Sequence, residues 1–355
     1  MMKRMMVTLA SCAAVGVLVV LLLSLLSARV AASKGAFLRT FRQHAINERM
    51  ELDLKTNSYY LAGIGRNTAF LGNHIAPLHI LTINFTSGDS THHRLAVEGI
   101  FEEKFWSVRL KVDSPDFYLF DGAVPRIYKG SAANWQAKRF RYDTEFFQDL
   151  EPIGSNSFAI RSIVGENKEA ALGKISPDEP HFTFKRDILQ KQVDGYFCTS
   201  GYLQYDKVFH RLLYLYRYRN EFMVMDSNMS LLKKATTIDT NSVAKIEVAT
   251  IHSSNSRVFQ SPPVVVNSNC FLDGNYLFVH SALLSRNEHA SALEEASVID
   301  VYHLTDLAYR FSFYIFDHVP GGKLQAFAVA GNTLVALFET HLQVFDVNEM
   351  YFPDR

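Results

Sequence analysis

The chain has no excess of either charge: 36 Lys and Arg residues stand against 36 Asp and Glu. That argues against a nucleic-acid partner, whose recognition leaves a strong basic footprint. Cysteine is scarce, with three in 355 residues, so no disulfide scaffold is expected. Charged residues make up 20% of the chain, too few for a disordered protein. Beyond residue 50 no heptad and no sustained 3.6-residue period occurs, which removes helical bundles from consideration. The signature motifs of hydrolases, metalloenzymes and nucleotide binders are missing: G-x-S-x-G, H-E-x-x-H, the P-loop, G-x-G-x-x-G and the EF-hand loop. Ser230-Leu-Leu-Lys233 matches S-x-x-K but lacks that chemistry's companion motifs. The 13 histidines show no paired-ligand spacing, and His92-His93 reads as part of a polar loop. No catalytic residue, metal site or cofactor is therefore expected.

What the chain does have is apolar and aromatic content. Hydrophobic residues reach 48%, with 27 Phe and 16 Tyr, a bias that suits pleated surfaces. From Met50 onward short apolar runs follow one another, bounded by Gly, Asn, Asp, Ser or Pro. Leu78–Phe85, Ser107–Val112, Phe158–Val164, Leu212–Tyr218, Tyr276–Ser281 and Leu334–Phe338 are examples. Several end in Asp before a turn, as at Asp226, Asp300 and Asp346, where a short carboxylate can bond nearby backbone N–H groups. The run divides into about six units of roughly 50 residues, the size of four-stranded propeller blades. Blades are read at 57–98, 104–150, 156–190, 194–250, 260–318 and 322–348. The last is short, and Met50–Leu54 supplies its missing strand, closing the ring and protecting the sheet edges. A seven-bladed count is the alternative. The fold class is all-β, a six-bladed β-propeller preceded by an N-terminal transmembrane helix.

Met5–Ala28 is 24 residues without a charge. As a helix it would be roughly 36 Å long, enough to cross a ~30 Å hydrocarbon core. Lys3 and Arg4 precede it, and Arg29, Lys34, Arg39 and Arg42 follow. The expected organisation is a cytoplasmic leader (1–4), a signal-anchor span (5–28), a juxtamembrane linker (29–48) and a propeller domain (49–355). Residues from 49 on would then lie in the periplasm, with the chain single-pass in the cytoplasmic membrane. A cleaved signal peptide ending near Val30-Ala31-Ala32 is the alternative, but the apolar run exceeds the usual 7–15 residues. Leu9-Ala10-Ser11-Cys12 imitates a lipobox, yet most of the apolar run follows it. Cys198 and Cys270 read as buried free thiols, with a bridge between them as the alternative.

Several phrases carry a resemblance: Asn57–Ile83, Leu189–Asp206, Leu212–Asp226, Thr236–Ile246 and Ser297–Ile315. They are similar to an uncharacterised group of membrane-anchored, propeller-like bacterial proteins of the Bacteroidetes type. The resemblance implies fold and location, and no catalytic residues.

Three constellations rise above background. In Tyr214-Leu-Tyr-Arg-Tyr-Arg-Asn220, strand alternation places Arg217 and Arg219 on the face of Leu213 and Leu215. They form either an inter-blade ion-pair network, with Asp194, Asp239, Glu288 or Asp300 as partners, or an anion-binding patch near the channel. Asp194-Gly195 demands a tight turn, with Asp121-Gly122 as its earlier counterpart, and the neighbouring Lys191 and Gln192 either reach a ligand or another blade or merely belong to a blade turn. Arg286-Asn287-Glu288-His289 follows an apolar strand and is a binding rim or a solvated insertion. The candidate ligand-binding residues are thus Arg217, Arg219, Lys191, Asp194, Asn287 and Glu288. The expected function is a non-catalytic binding or scaffold module with a protein or small-solute partner at the funnel. The alternative is a propeller-type hydrolase or lyase at the channel mouth.

Overall fold

The computed structural model describes residues 11–22, 35–99, 105–142, 145–251, 256–289, 291–319 and 322–354. It is a six-bladed β-propeller. Blade one is the antiparallel meander β2 (Tyr59–Ile64), β3 (Thr68–Asn73), β4 (His79–Asn84) and β5 (Ser90–Arg94). Blade two contains β7 (Val108–Asp113), β8 (Asp116–Asp121), β9 (Arg126–Ser131) and β10 (Gln136–Tyr142), with β6 (Ala96–Val97) added parallel to β10. Blade three is β11 (Asp149–Gly154), β12 (Ser157–Val164), β13 (Glu169–Ile175) and β14 (Phe182–Lys185). Blade four is β15 (Gly201–Asp206), β16 (Arg211–Tyr216), β17 (Glu221–Asp226) and β18 (Leu231–Thr236). A hairpin, β19 (Val248–Ile251) and β20 (Ser256–Phe259), then interrupts the path to blade five. Blade five is β21 (Asn267–Asp273), β22 (Tyr276–Ser281), β23 (Ala296–His303) and β24 (Ala308–Phe316).

Blade six has three strands from the C-terminal segment, β25 (Ala326–Ala330), β26 (Thr333–Leu337) and β27 (His341–Val347). Its fourth is β1 (Ile46–Asp53), antiparallel to β27 from Ile46 opposite Val347 to Asp53 opposite His341. The ring closes between N- and C-terminal segments as the short last unit implies, with the closing strand four residues longer on its N-terminal side. Residues 35–45 run against blade five: Gly35 N–H donates to Leu284 O, and Thr40 and Arg42 exchange backbone bonds with Ser312.

The core lies between blades. In β16, Leu212, Tyr214 and Tyr216 pack with Ala159, Leu172 and Leu203, whereas Leu213 and Leu215 pack with Cys270, Leu277 and Val279. Both faces of an inner-blade sheet are covered, which is why its strands read as continuous apolar runs rather than as alternation. Alternation stops at Tyr216, where β16 ends, so Arg217 and Arg219 lie in the following turn and not on the Leu213 face.

Three local readings change. Blade three begins at Asp149, not 156, because Pro152 and Gly154 imitate a turn while lying in β11. An innermost strand has one edge toward the channel, where proline's missing N–H removes no ladder bond. The hairpin β19–β20 lies outside the four-stranded sheet of blade four. His92 and His93 belong to strand β5, opposite Leu81 and Ile80. Cys198 and Cys270 are both buried free thiols. Residues 11–22 are helical, and no helix among the described residues is long and apolar enough to cross a membrane. The rest of the 5–28 run lies outside the described residues.

Candidate functional site

Four antiparallel strands return the chain to the face it started from. Among the described residues, the connections between blades and the turns between the second and third strands of a blade therefore lie on one face, the upper face. The segments 186–200, 237–251 and 256–266 cross it at blades three to five. Asp194 orders the first of these by accepting from Phe197 N–H at 2.9 Å and Cys198 N–H at 2.8 Å. Phe197 stacks on Phe259 of the hairpin, ring centroids 4.1 Å apart, and Phe259 meets Tyr218 edge-on at 5.9 Å.

Beneath these rings, between blades three and four, is a cavity of about 320 Å³. Arg161 reaches it from β12 and Arg217 from the turn after β16, with Gln148, Tyr196, Tyr202 and Tyr218 beside them. No lining residue is a carboxylate. Among the described residues neither guanidinium has a carboxylate at salt-bridge distance, and the buried Nε of each has no hydrogen-bond partner. Arg161 is 8% exposed; it donates to Gln148 Oε1 and, at 3.2 Å, to Tyr196 O. Arg217 donates to Tyr202 Oη at 3.1 Å. Burial pushes the Tyr202 phenol up to about 12, with Arg217 opposing the shift, and that hydroxyl donates to Ser268 O while accepting from Arg217.

The other residues singled out from sequence scatter. Arg219 is fully buried, its guanidinium 3.5 Å above the Tyr216 ring, donating to Gln190 O at 2.9 Å and 3.6 Å from Glu221. Lys191 is exposed and pairs with Glu169 at 2.6 Å. Asn287 and Glu288 lie in blade five, where they grip residue 39: Arg39 N–H donates to Asn287 Oδ1 at 3.0 Å, Asn287 Nδ2 to Arg39 O at 2.9 Å, and Glu288 pairs with the Arg39 guanidinium. The carboxylates expected for Arg217 and Arg219 are engaged elsewhere. Asp239 caps Asn241, and Asp300 takes Arg39. Arg161 escaped the sequence reading because a lone Arg inside an apolar strand carries no motif. Its one signal is that a cation at such a position needs a partner.

The channel wall holds a second group. Lys111 of β7 pairs with Glu151 of β11. Burial pushes the Glu151 carboxyl up to about 7, with Lys111 opposing the shift. Glu48, Glu51 and His318 lie close together on the exposed outer edge of blade six, His318 Nε2 being 3.1 Å from Glu48.

No family model and no curated protein matches the chain. Solved structures do. A member of the DUF4221 family from Bacteroides vulgatus superposes with a TM-score of 0.52 at 12% identity, covering 85% of this chain and 97% of its own. A protein of unknown function from Bacteroides thetaiotaomicron gives 0.50 at 10% identity, covering 88% and 75%. Virginiamycin B lyase from Staphylococcus aureus gives 0.47 at 11% identity, covering 84% and 99%. At these identities the likeness is one of fold.

Proposed function

We propose that the protein is a membrane-anchored, extracytoplasmic binding module that captures an anionic ligand in the Arg161–Arg217 cavity. One observation carries this reading: two guanidinium groups share a cavity with no carboxylate in its wall. A buried cation without a counter-charge is costly, and a bidentate carboxylate or phosphate from outside supplies it. Tyr196 and Tyr218 add phenol hydroxyls to the wall, and Phe197 and Phe259 add aromatic surface. Nothing in the wall is a histidine, carboxylate, cysteine or lysine, so the cavity has donors to hold an anion and no group suited to general base work near neutral pH. Titration calorimetry with glutarate and with inorganic phosphate tests it. At least one should bind, and Arg217→Gln should weaken that binding about tenfold or more. Absence of binding by both, or binding indifferent to Arg217, overturns it.

The enzyme reading rests on Glu151, whose raised carboxyl in the channel wall has the proton affinity of a general acid or base near pH 7. A hydrolase or lyase activity that disappears in Glu151→Gln while the fold persists would replace binding with catalysis.

Anchoring rests on the uncharged run Met5–Ala28. The protein should sediment with membranes through alkaline carbonate, and deletion of residues 1–32 should release it. A mature N-terminus at Ser33 would show cleavage instead.

A further inference from the structure

The proposed anion cavity does not end at blade three. Gln148 lines it on one side and on the other lines a second cavity of about 420 Å³ between blades two and three. The chain at this partition is held tightly. Phe147 N–H donates to Gly122 O at 3.1 Å, and Gln148 N–H to Arg161 O at 2.7 Å. A Cβ on Gly122 would lie 1.9 Å from Phe147 O, so only glycine lets the two backbones meet. Asp121 fastens the other wall, accepting from Trp106 and Ser107 N–H at 2.6 and 2.8 Å. The two cavities thus form one groove on the upper face, fixed by backbone contacts.

The second cavity differs in character. Phe120, Phe146, Phe147 and Ile163 give it apolar walls, and Arg109 is its only charge. Phe146 is 60% exposed and Trp106, at the rim, 82% exposed. Arg109 has no carboxylate at salt-bridge distance among the described residues, and neither cavity has a carboxylate in its wall. Three uncompensated guanidinium groups therefore follow one another along the groove, with an apolar surface between Arg109 and the deeper pair.

We propose that this groove docks an extended acidic peptide segment of a partner protein, with apolar side chains alternating with carboxylates. The proposal rests on the anion-binding reading of the Arg161–Arg217 cavity and names its ligand class. The charge pattern selects an acidic partner. The apolar walls select against an acidic oligosaccharide, whose many hydroxyl donors need acceptors that a groove without carboxylates supplies poorly. The exposed ring of Phe146 offers instead the surface that a buried aliphatic or aromatic side chain needs.

The test uses the full chain and a capped pentapeptide alternating glutamate with phenylalanine and leucine, compared with glutarate by calorimetry and fluorescence anisotropy. The peptide should bind at least about tenfold more tightly than glutarate, since it fills both cavities. Arg109→Gln and Phe146→Ala, both on exposed side chains, should each remove about five- to tenfold of peptide affinity and leave glutarate binding unchanged. Arg217→Gln should weaken both ligands. Glutarate binding with no gain for the peptide overturns the groove and leaves the anion cavity standing. So does tighter binding of a trigalacturonate than of the peptide. Failure of the peptide while inorganic phosphate alone binds also overturns only the groove, and failure of peptide, glutarate and phosphate alike overturns the anion cavity as well.

Discussion

Arg39 holds Asp300 through two parallel hydrogen bonds, Nε to Oδ1 at 2.7 Å and Nη2 to Oδ2 at 3.0 Å, across 261 residues of sequence. The same guanidinium pairs with Glu288 and donates to Leu283 O at 2.9 Å. Ser312 Oγ donates to Asp300 at 2.6 Å, and Tyr314 Oη to Glu288 at 2.8 Å. All three charged groups are buried, and together they pin the segment before β1 onto blade five.

Removing Arg39 leaves two buried carboxylates without a counter-charge, so Arg39→Met should lower stability by roughly 3–5 kcal/mol in urea unfolding. Asp300→Asn leaves the Arg39–Glu288 pair in place and should cost less than Arg39→Met. Burial raises Glu288, but Arg39 and the Ser285 hydrogen bonds outweigh it, so its carboxyl ends below the usual range. A depressed carboxylate contributes stability above its unfolded pKa and loses it as pH falls. The stability difference between parent and Glu288→Gln should therefore shrink on acidification below about pH 4.5.

Arg217 and Arg219 separate into two roles. Arg219→Met removes a fully buried group stacked on Tyr216 and bonded to Gln190 O, leaving Glu221 only the more distant Lys234 at 3.9 Å, and should cost roughly 2–4 kcal/mol. Arg217→Met should cost under about 1 kcal/mol, because its charge has no protein counter-charge to lose. Thermal melts of the two variants check this directly. An Arg217→Met protein that unfolds as readily as Arg219→Met would return Arg217 to the packing network.

Ring closure depends on one strand. Deleting residues 44–55 removes β1 and exposes the long edge of β27. The broadened, multi-step calorimetric transition expected of an open array would replace a single cooperative one. A merely shifted but equally sharp transition would show that blade six holds without β1.

His280 supplies a pH test. Burial lowers its pKa to about 4, well below that of an exposed imidazole. The unfolded chain takes up the proton first, so stability is complete above about pH 6.5 and declines as pH falls toward 4. His280→Gln should flatten that part of the stability profile, and an unchanged slope would show that His280 is not its source.

The strand count, the recurring Asp turns and the closing strand were legible in the chain because they are local. An apolar run four to eight residues long, bounded by turn formers, is a strand wherever it falls, and Asp226 does accept from Asn228 and Ser230 N–H at 2.9 and 2.8 Å. The short sixth unit required a donor, and Met50–Leu54 was the unclaimed strand nearest the other end. Partners of charges were not legible. Asp300 stands in the position of a turn-capping Asp, yet it lies inside β23 and meets Arg39 from the opposite end of the chain. Arg217 and Arg219 have the same local sequence environment. The end of β16 between them and their neighbours sends one into a cavity and the other onto Tyr216. Side-chain alternation holds only while a strand continues, and charge pairing is decided by distances through space. Only the face-to-face packing of successive blades two, three and four sets Arg109, Arg161 and Arg217 along the two neighbouring cavities.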